Sequence, residues 1–573
     1  MRKIALVLSC FACMDHGRRL HKMDDIHLPQ SHRDTSTKCK QTPLQALATL
    51  FVACNPSAAF SAAAPAAATA ATAAKAPLAP AVVIGAGPAG LATAWALSQR
   101  GFNVTVLERR GEPSPYEPQR AYLYLIDRRG QKFTDAAQIT DELSSPELSV
   151  SSTNYTVTRC LADGKCIEMV PPILEPSKDG RSSYWIPRQV FLALLCRLLA
   201  DNERVRTLYG SEVQSLKRTA DGGVEVTVQT SDTTTTNLRP VLLVGADGLN
   251  SVVREHMATW STDDPSLGAK AEEFKPVVLP SPSSGLNYKM LRFPPSFQLD
   301  TSNGSATSQP RKAYSIRPSD KAPLGETRLG MLPVADETYP RTANVILPPD
   351  HPVWSLGSAE AIRGWLKETF PQLPIDDIVS EEEAEAFITG KPGAFPAPCY
   401  TPRQQLLLPS AAVCLVGDAI HAFPPDIGQG VNSALSDVMH LGDALDGAAP
   451  AAPEDKRAWL GRAMEAYGKR AAAEAEAVAK IAQVGFPYQY SHTVTDGLLP
   501  RLRKFFWFVN FSLRTLLLAK LLPGIFSPAA IVLVQRPNMS YAQVWALAAK
   551  TTRRMAAISA LCLFLLLRRF MPF

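Results

Sequence analysis

The sequence predicts an α/β fold with three parts. A parallel sheet is assembled from three segments far apart in the chain, an antiparallel β-sheet domain is inserted between them, and a helical tail follows. Three observations predict it. A buried apolar strand, Ala81-Val82-Val83-Ile84, runs into a glycine-rich turn and then a helix. Two later buried strands each end in a Gly/Asp pair, Gly245-Ala246-Asp247-Gly248 and Gly417-Asp418. Between those two, residues 285–350 break into short strands separated by Pro, Ser and Asp.

The first element begins at Ala81, where the texture changes. Gly85-Ala86-Gly87-Pro88-Ala89-Gly90 is the turn, Leu91 to Gln99 the helix, and Asn103 to Glu108 the next strand. This G-x-G-x-x-G run sits after a strand and opens a helix, the context that gives it meaning. Gly85 permits the tight turn, Gly87 lets backbone approach a pyrophosphate, and Gly90 lets the helix pack close to the strand. The helix N-terminus offers free N–H groups and a positive dipole end to phosphates. Glu108 can accept from both hydroxyls of an adenosine ribose. The domain is therefore Rossmann-type. Arg109-Arg110 beside Glu108 would suit a 2′-phosphate, but Glu108 would repel one.

Residues 182–200 read as a strand end entering a helix, and Val241–Val244 as a buried strand leading to Asp247 and Gly248. The inserted domain carries short strands at Leu286–Phe293, Lys312–Arg317, Thr327–Val334 and Thr342–Leu347, the pattern of an antiparallel sheet. Leu406 to Val416 reads as one more buried strand. Gly417-Asp418-Ala419-Ile420-His421-Ala422-Phe423-Pro424-Pro425-Asp426-Ile427-Gly428-Gln429-Gly430-Val431-Asn432 follows and opens a helix of small residues. Asp418 can hold a ribityl hydroxyl, and Pro424-Pro425 stiffens the loop. Gly428 and Gly430 let backbone N–H groups reach the pyrimidine edge of an isoalloxazine. A helix starting near Gly430 aims its positive end where negative charge appears on flavin reduction. The three motifs in this order point to non-covalent FAD. Asp247 capping a turn and His421 as a satisfied loop histidine are the structural alternatives for single pieces.

The division expected is 1–79 as a leader and Ala-rich linker, 80–265 as the first part of the FAD-binding domain, and 266–398 as the substrate domain. Residues 399–450 complete the FAD-binding domain, and 451–573 form a helical region with a membrane-associating tail. The leader is basic, poor in acids and rich in Ala and Ser, as in an organelle transit peptide; a secretory signal or an unaddressed extension are the competing readings. Near the C-terminus, Met555 to Leu567 lies between Arg553-Arg554 and Arg568-Arg569. As a helix this run spans about 20 Å, short of the roughly 30 Å of a bilayer core. Arginine pairs at both ends suit a run that lies on a membrane and lets them snorkel; a core helix is the plain alternative.

Composition narrows the function. Of 573 residues, 46% are apolar and 20% charged, and the net charge is only +6. No basic stripe interleaves with aromatics, which argues against nucleic-acid binding. Ten cysteines make no disulfide framework, and no Cys/His set has zinc-ligand spacing. Cys160 and Cys166 flank a turn signal and read as reduced residues on a hairpin, with a cross-strand bridge as the alternative. No triad or carboxylate pair is found, so no catalytic side chain is assigned.

The three motifs, with Tyr184-Trp185-Ile186-Pro187-Arg188, resemble the class A FAD-dependent monooxygenases and are most similar to kynurenine 3-monooxygenases over residues 80–550. The resemblance implies that Arg188 lies near the FAD pyrophosphate and that Arg120 is the arginine after the first βαβ unit. Leu521–Pro528 and Met539–Val544 are similar to the membrane-attached tail of the eukaryotic kynurenine enzymes. It implies an oxidoreductase in which NADPH or NADH reduces the flavin and one atom of O₂ passes to an electron-rich, usually aromatic, substrate. The expected location is an organelle membrane, of plastid or mitochondrion, reached through the C-terminus.

Departures bear on the substrate. The arginine that grips the kynurenine carboxylate falls on Val157 here, and the tyrosine that helps it falls near Pro171. Arg159 is expected to replace it only if the register shifts by two. The Tyr-Asn-Tyr run of a later helix maps onto Gln483-Val484-Gly485. Two other functions stay open: an epoxidase or reductase of an isoprenoid lipid, and a non-catalytic FAD-binding redox sensor.

Overall fold

The computed structural model describes residues 78–570 apart from 115, 118–119, 155, 170–180, 231–233, 302–303, 326, 449–455, 491–497 and 537. The expected leader therefore lies outside the described residues, as does Pro171.

Five parallel strands form the framework: Leu78–Ile84, Phe102–Leu107, Val205–Leu208, Leu242–Gly245 and Ala412–Leu415. In space the order is Ala412–Leu415, Leu242–Gly245, Leu78–Ile84, Phe102–Leu107, Val205–Leu208. The chain thus builds outward from the first strand on one side and then reverses to the other. That reversal lies between Leu78–Ile84 and Leu242–Gly245, paired in register as Ala81↔Leu242 to Ile84↔Gly245. Val83, Val244 and Cys414 are fully buried, as strands covered on both faces must be. The covering helices include α1 (Pro88–Ser98), α2 (Arg188–Ala200), α3 (Val252–Asp263), α4 (Gly430–Gly447) and α5 (Lys456–Gly485).

The expected single strand from Leu406 to Val416 is instead a hairpin. Gln405–Leu407 pairs antiparallel with Ala412–Leu415, because Pro409-Ser410 turns the chain between them. The second strand of the sheet ends at Leu107, so Glu108 projects just beyond it.

The inserted antiparallel sheet has seven strands, in the order Gly393–Ala394, Asn287–Phe293, Arg341–Leu347, Leu329–Met331, Ala313–Ile316, Val157–Cys160, Cys166–Met169. Its last two strands come from the segment expected to belong wholly to the FAD-binding domain. They join this sheet because Val157–Cys160 runs parallel to Ala313–Ile316, Val157 opposite Ala313. Leu291, Phe293, Ile316 and Val345 form its core with Trp365 and Phe370. The expected hairpin is present, with Cys160 directly opposite Cys166. Both thiols are free, their sulfurs 3.0 Å apart.

A third core joins the tail to the flavin-side loop. Ile427 packs with Val478, Ile481, Phe511, Ile531, Val534, Tyr541 and Val544. Two tail helices, α6 (Leu498–Ser512) and α7 (Tyr541–Phe570), complete the chain. Met555–Leu567 is the outer part of α7 and is not a core helix: Phe564 is 60% exposed. No helix among the described residues is long and apolar enough to cross a membrane.

Candidate functional site

The site forms where the parallel strands end. Gly85, Glu108, Ala246-Asp247 and Gly417-Asp418 each follow the carboxyl end of a different strand, around the point where strand order reverses. That is where open α/β sheets bind ligands. Short backbone bonds lock the ends together: Gly85 N to Leu107 O at 2.7 Å, Ala246 N to Ile84 O at 2.9 Å and Val416 N to Gly245 O at 3.0 Å.

The glycines behave as the spacing requires. Gly85 has φ +105°, and a Cβ there would collide with the Ala246 carbonyl. A Cβ on Gly90 would collide with the Gly85 carbonyl, so the close packing of α1 on its strand depends on it. Around Gly87 and Gly430 the space a Cβ would take is empty. Neither α1 nor α4 has a side-chain cap or an acid in its first turn. Their first N–H groups remain available to phosphates and to a flavin ring edge.

The polar residues divide their work. Glu108 Oε2 accepts from Ala86 N at 3.0 Å, and Oε1 accepts from Arg110 N and Nε, each at 3.1 Å. Arg110 is thus engaged by Glu108, while Arg109 stands exposed. A carboxylate has about four acceptor positions, so Glu108 keeps capacity for a ribose. Asp247 caps α3: its Oδ2 accepts from Val252 N at 2.7 Å and Val253 N at 3.2 Å. Its Oδ1 is buried without a partner among the described residues, and burial raises its pKa against those hydrogen bonds. Arg254 ties two motifs together, donating to Leu249 O at 2.7 Å and Ala419 O at 2.8 Å.

Arg188 is the first residue of α2, buried, with Nη1 unpartnered among the described residues. Its guanidinium lies 5.9 Å from the Tyr122 ring, and Tyr124 beside it feels the charges of both Arg188 and Asp418. Sequence reading missed these two tyrosines, since only the fold brings them to the motifs. Asp418 opens onto the cleft. His421 is buried and bonds Asp437 Oδ2 at 2.8 Å, and that carboxylate also accepts from Gly417 N at 3.0 Å. The histidine thus braces the Gly417-Asp418 turn through Nε2, while its Nδ1 has no partner among the described residues.

One assignment changes. The Asn432 side chain does not face a ligand: Oδ1 accepts from Asp127 N at 3.0 Å and Nδ2 donates to Leu125 O at 2.8 Å. Only its backbone, with that of Val431, remains for a flavin. Arg120 lines a cavity of about 550 Å³ with Tyr116, Tyr288, Lys289 and Glu383 between the two domains, and its carbonyl accepts from Gln189 Nε2 at 3.3 Å, next to Arg188. Pro425 and Gly428 flank the short turn before α4, Gly428 with φ +62°.

On the substrate side, Val157 and Arg159 stand two apart on one strand. They therefore share a face without any register shift, because side chains alternate with a period of two. What separates them is two residues of rise, about 6.6 Å along the strand. Arg159 is buried, with Nε unpartnered. Gly485 proves to be a packing position, since a Cβ there would stand 2.7 Å from Ile427 Cγ2.

Unfilled donors and acceptors at Arg188 and Asp247, the open space beside Gly87 and two uncapped helix starts fit a dinucleotide flavin. The family model for an FAD binding domain matches residues 79–266 and 364–479, over half of the chain. The kynurenine 3-monooxygenase of Dictyostelium discoideum is 24% identical over 374 residues, 63% of this chain and 69% of that protein. The violacein synthase of Chromobacterium violaceum is 26% identical over 386 residues, 64% of this chain and 77% of that protein. The p-nitrophenol 4-monooxygenase of Pseudomonas putida shares the fold, with TM-score 0.51 at 16% identity over 75% of this chain and 93% of that one. The chain belongs to the FAD-binding-domain family and is a class A FAD-dependent monooxygenase.

Proposed function

We propose that the protein uses NADPH or NADH to hydroxylate a small aromatic substrate, and that kynurenine is a poor one. The observation that carries the first part is the convergence of Gly85, Glu108, Asp247 and Asp418 at one strand-end cleft facing an antiparallel sheet. FAD bound there supplies electron transfer from the nicotinamide and activation of O₂. The chain's own residues bind and orient. Glu108 would hold the adenosine ribose, and Arg188 with the start of α1 would hold the pyrophosphate. Asp418 would hold the ribityl chain, and the start of α4 would stabilise negative charge on the reduced ring.

The second part rests on Val157, which offers no donor where the kynurenine enzymes are expected to have arginine. A missing charged hydrogen bond costs about 2–4 kcal/mol in discrimination, roughly 30- to 1000-fold. The test is NADPH- and O₂-dependent formation of 3-hydroxykynurenine, with Arg159→Ala alongside. Little or no product is expected. Efficient hydroxylation abolished by the substitution would make Arg159 the carboxylate's partner, and efficient hydroxylation untouched by it would refute the pocket reasoning.

Membrane contact through the tail belongs to the same reading, at an organelle of plastid or mitochondrial type. It is supported by α6, where Leu498, Phe505 and Phe506 stand exposed beside Arg501, Arg503 and Lys504, and by the exposed run in α7. This surface also favours one second reading, a flavin-dependent epoxidase or reductase of an isoprenoid lipid. A reductase consumes no O₂, so an oxygen electrode separates it.

A further inference from the structure

One buried acid beside the flavin loop has no task in the fold or in holding the cofactor. Asp426 follows Pro424-Pro425 and is 5% exposed. Neither of its carboxylate oxygens has a hydrogen-bond partner among the described residues. Ser283 lies beside it, but that hydroxyl gives its proton to the Pro487 carbonyl at 2.9 Å. Burial pushes the Asp426 carboxyl up to about 7. It caps no helix, and no group of metal-binding side chains exists among the described residues. A buried polar group without a partner is costly, so its retention points to a donor that comes from outside the chain.

The surroundings say what kind of donor. Tyr490 is close enough to feel the charges of both Asp426 and Arg328. It packs against Phe395 at 5.4 Å, and Phe395 against Tyr288 at 5.2 Å. Tyr288 lines the 550 Å³ cavity between the domains. An acid thus ends a row of aromatic rings running from the flavin loop along the inserted sheet. Aromatic faces attract cations, and a desolvated carboxylate does so more strongly; an anionic ligand would be repelled by the same acid.

The geometry points to Asp426 as the specificity-determining residue for the substrate, accepting a hydrogen bond from the protonated amine of an aromatic amine held against Tyr490. The inference rests on the monooxygenase reading and narrows its substrate class.

The test uses the oxidised holoenzyme and the change in flavin absorption on ligand binding. The probes are two pairs of equal ring and opposite charge: benzylamine against benzoate, and tryptamine against indole-3-acetate. In a pair that binds, the amine is expected to bind about tenfold tighter or more. Asp426→Asn should bring the ratio near unity with flavin content unchanged, and Asp426→Glu should keep the preference. Equal affinities, tighter acids, no binding in either pair, or a ratio unmoved by Asp426→Asn would overturn the proposal. Should Asp426→Asn not fold, the wild-type ratios still decide. A wild-type protein that holds no flavin would instead overturn the monooxygenase reading, which the absorption spectrum reports separately.

Discussion

Removing the Glu108 carboxylate tests the adenosine end of the site. In Glu108→Ala, the Ala86 N–H loses its 3.0 Å acceptor and Arg110 loses both of its bonds at 3.1 Å. The ribose loses a charged acceptor as well. Hydrogen bonds to a charged group are worth about 1.5–3 kcal/mol, which weakens FAD by roughly 10- to 150-fold. Loosening of the Ala86 turn adds about 1 kcal/mol. Glu108→Gln keeps an acceptor without the charge and should fall between. The assay is titration of apoprotein with FAD, followed by quenching of flavin fluorescence, with FMN in parallel. FMN has no adenosine ribose, so its affinity should change much less. Unchanged FAD affinity in Glu108→Ala, or an equal loss for FMN, would refute the assignment of Glu108 to the ribose.

Three further outcomes follow from the same geometry. Asp418→Ala should lose flavin on dialysis, and full retention would count against the Gly417-Asp418 assignment. Burial opposes a charge on His421, but the Asp437 carboxylate more than offsets it, so its pKa is raised above 6.5. Stability from that pair is full below pH 6.5 and is lost as pH rises through the raised value. Asp437→Asn should therefore cost about 3–5 kcal/mol in urea unfolding at mildly acidic pH and less at alkaline pH; a constant cost would contradict the ion pair. Deleting residues 553–573 should release the protein from membranes with FAD retained, because Tyr541 Oη still donates to Gln429 Oε1 at 2.7 Å. Full-length protein already soluble at low salt would end the membrane reading.

The flavin site was legible because its signals are local. Gly85 to Gly90 must turn within a few residues, and an acid one step past a strand needs no distant partner to be recognised. What the sequence hid depends on distant contacts. Nothing near Val157 announces that its strand pairs with Ala313 rather than with the parallel sheet. The Asn432 side chain looks available until the turn at Leu125 to Asp127 folds onto it. Asp426 sits inside a motif read for its prolines and glycines. Its isolation appears only when Ser283, Pro487 and Tyr490 are brought around it. The tail was legible as an apolar run between arginine pairs, but exposure rather than composition separates a docking surface from a core helix.

The most direct measurement is the fate of the flavin absorption band in the purified protein. Under anaerobic conditions NADPH or NADH should bleach the visible band of one bound FAD per chain, faster with an aromatic ligand present, and admitted O₂ should restore it. A protein that binds FAD but keeps its band unchanged with either nicotinamide, with and without ligand, would contradict a monooxygenase reduced by NAD(P)H and favour a flavin-binding sensor.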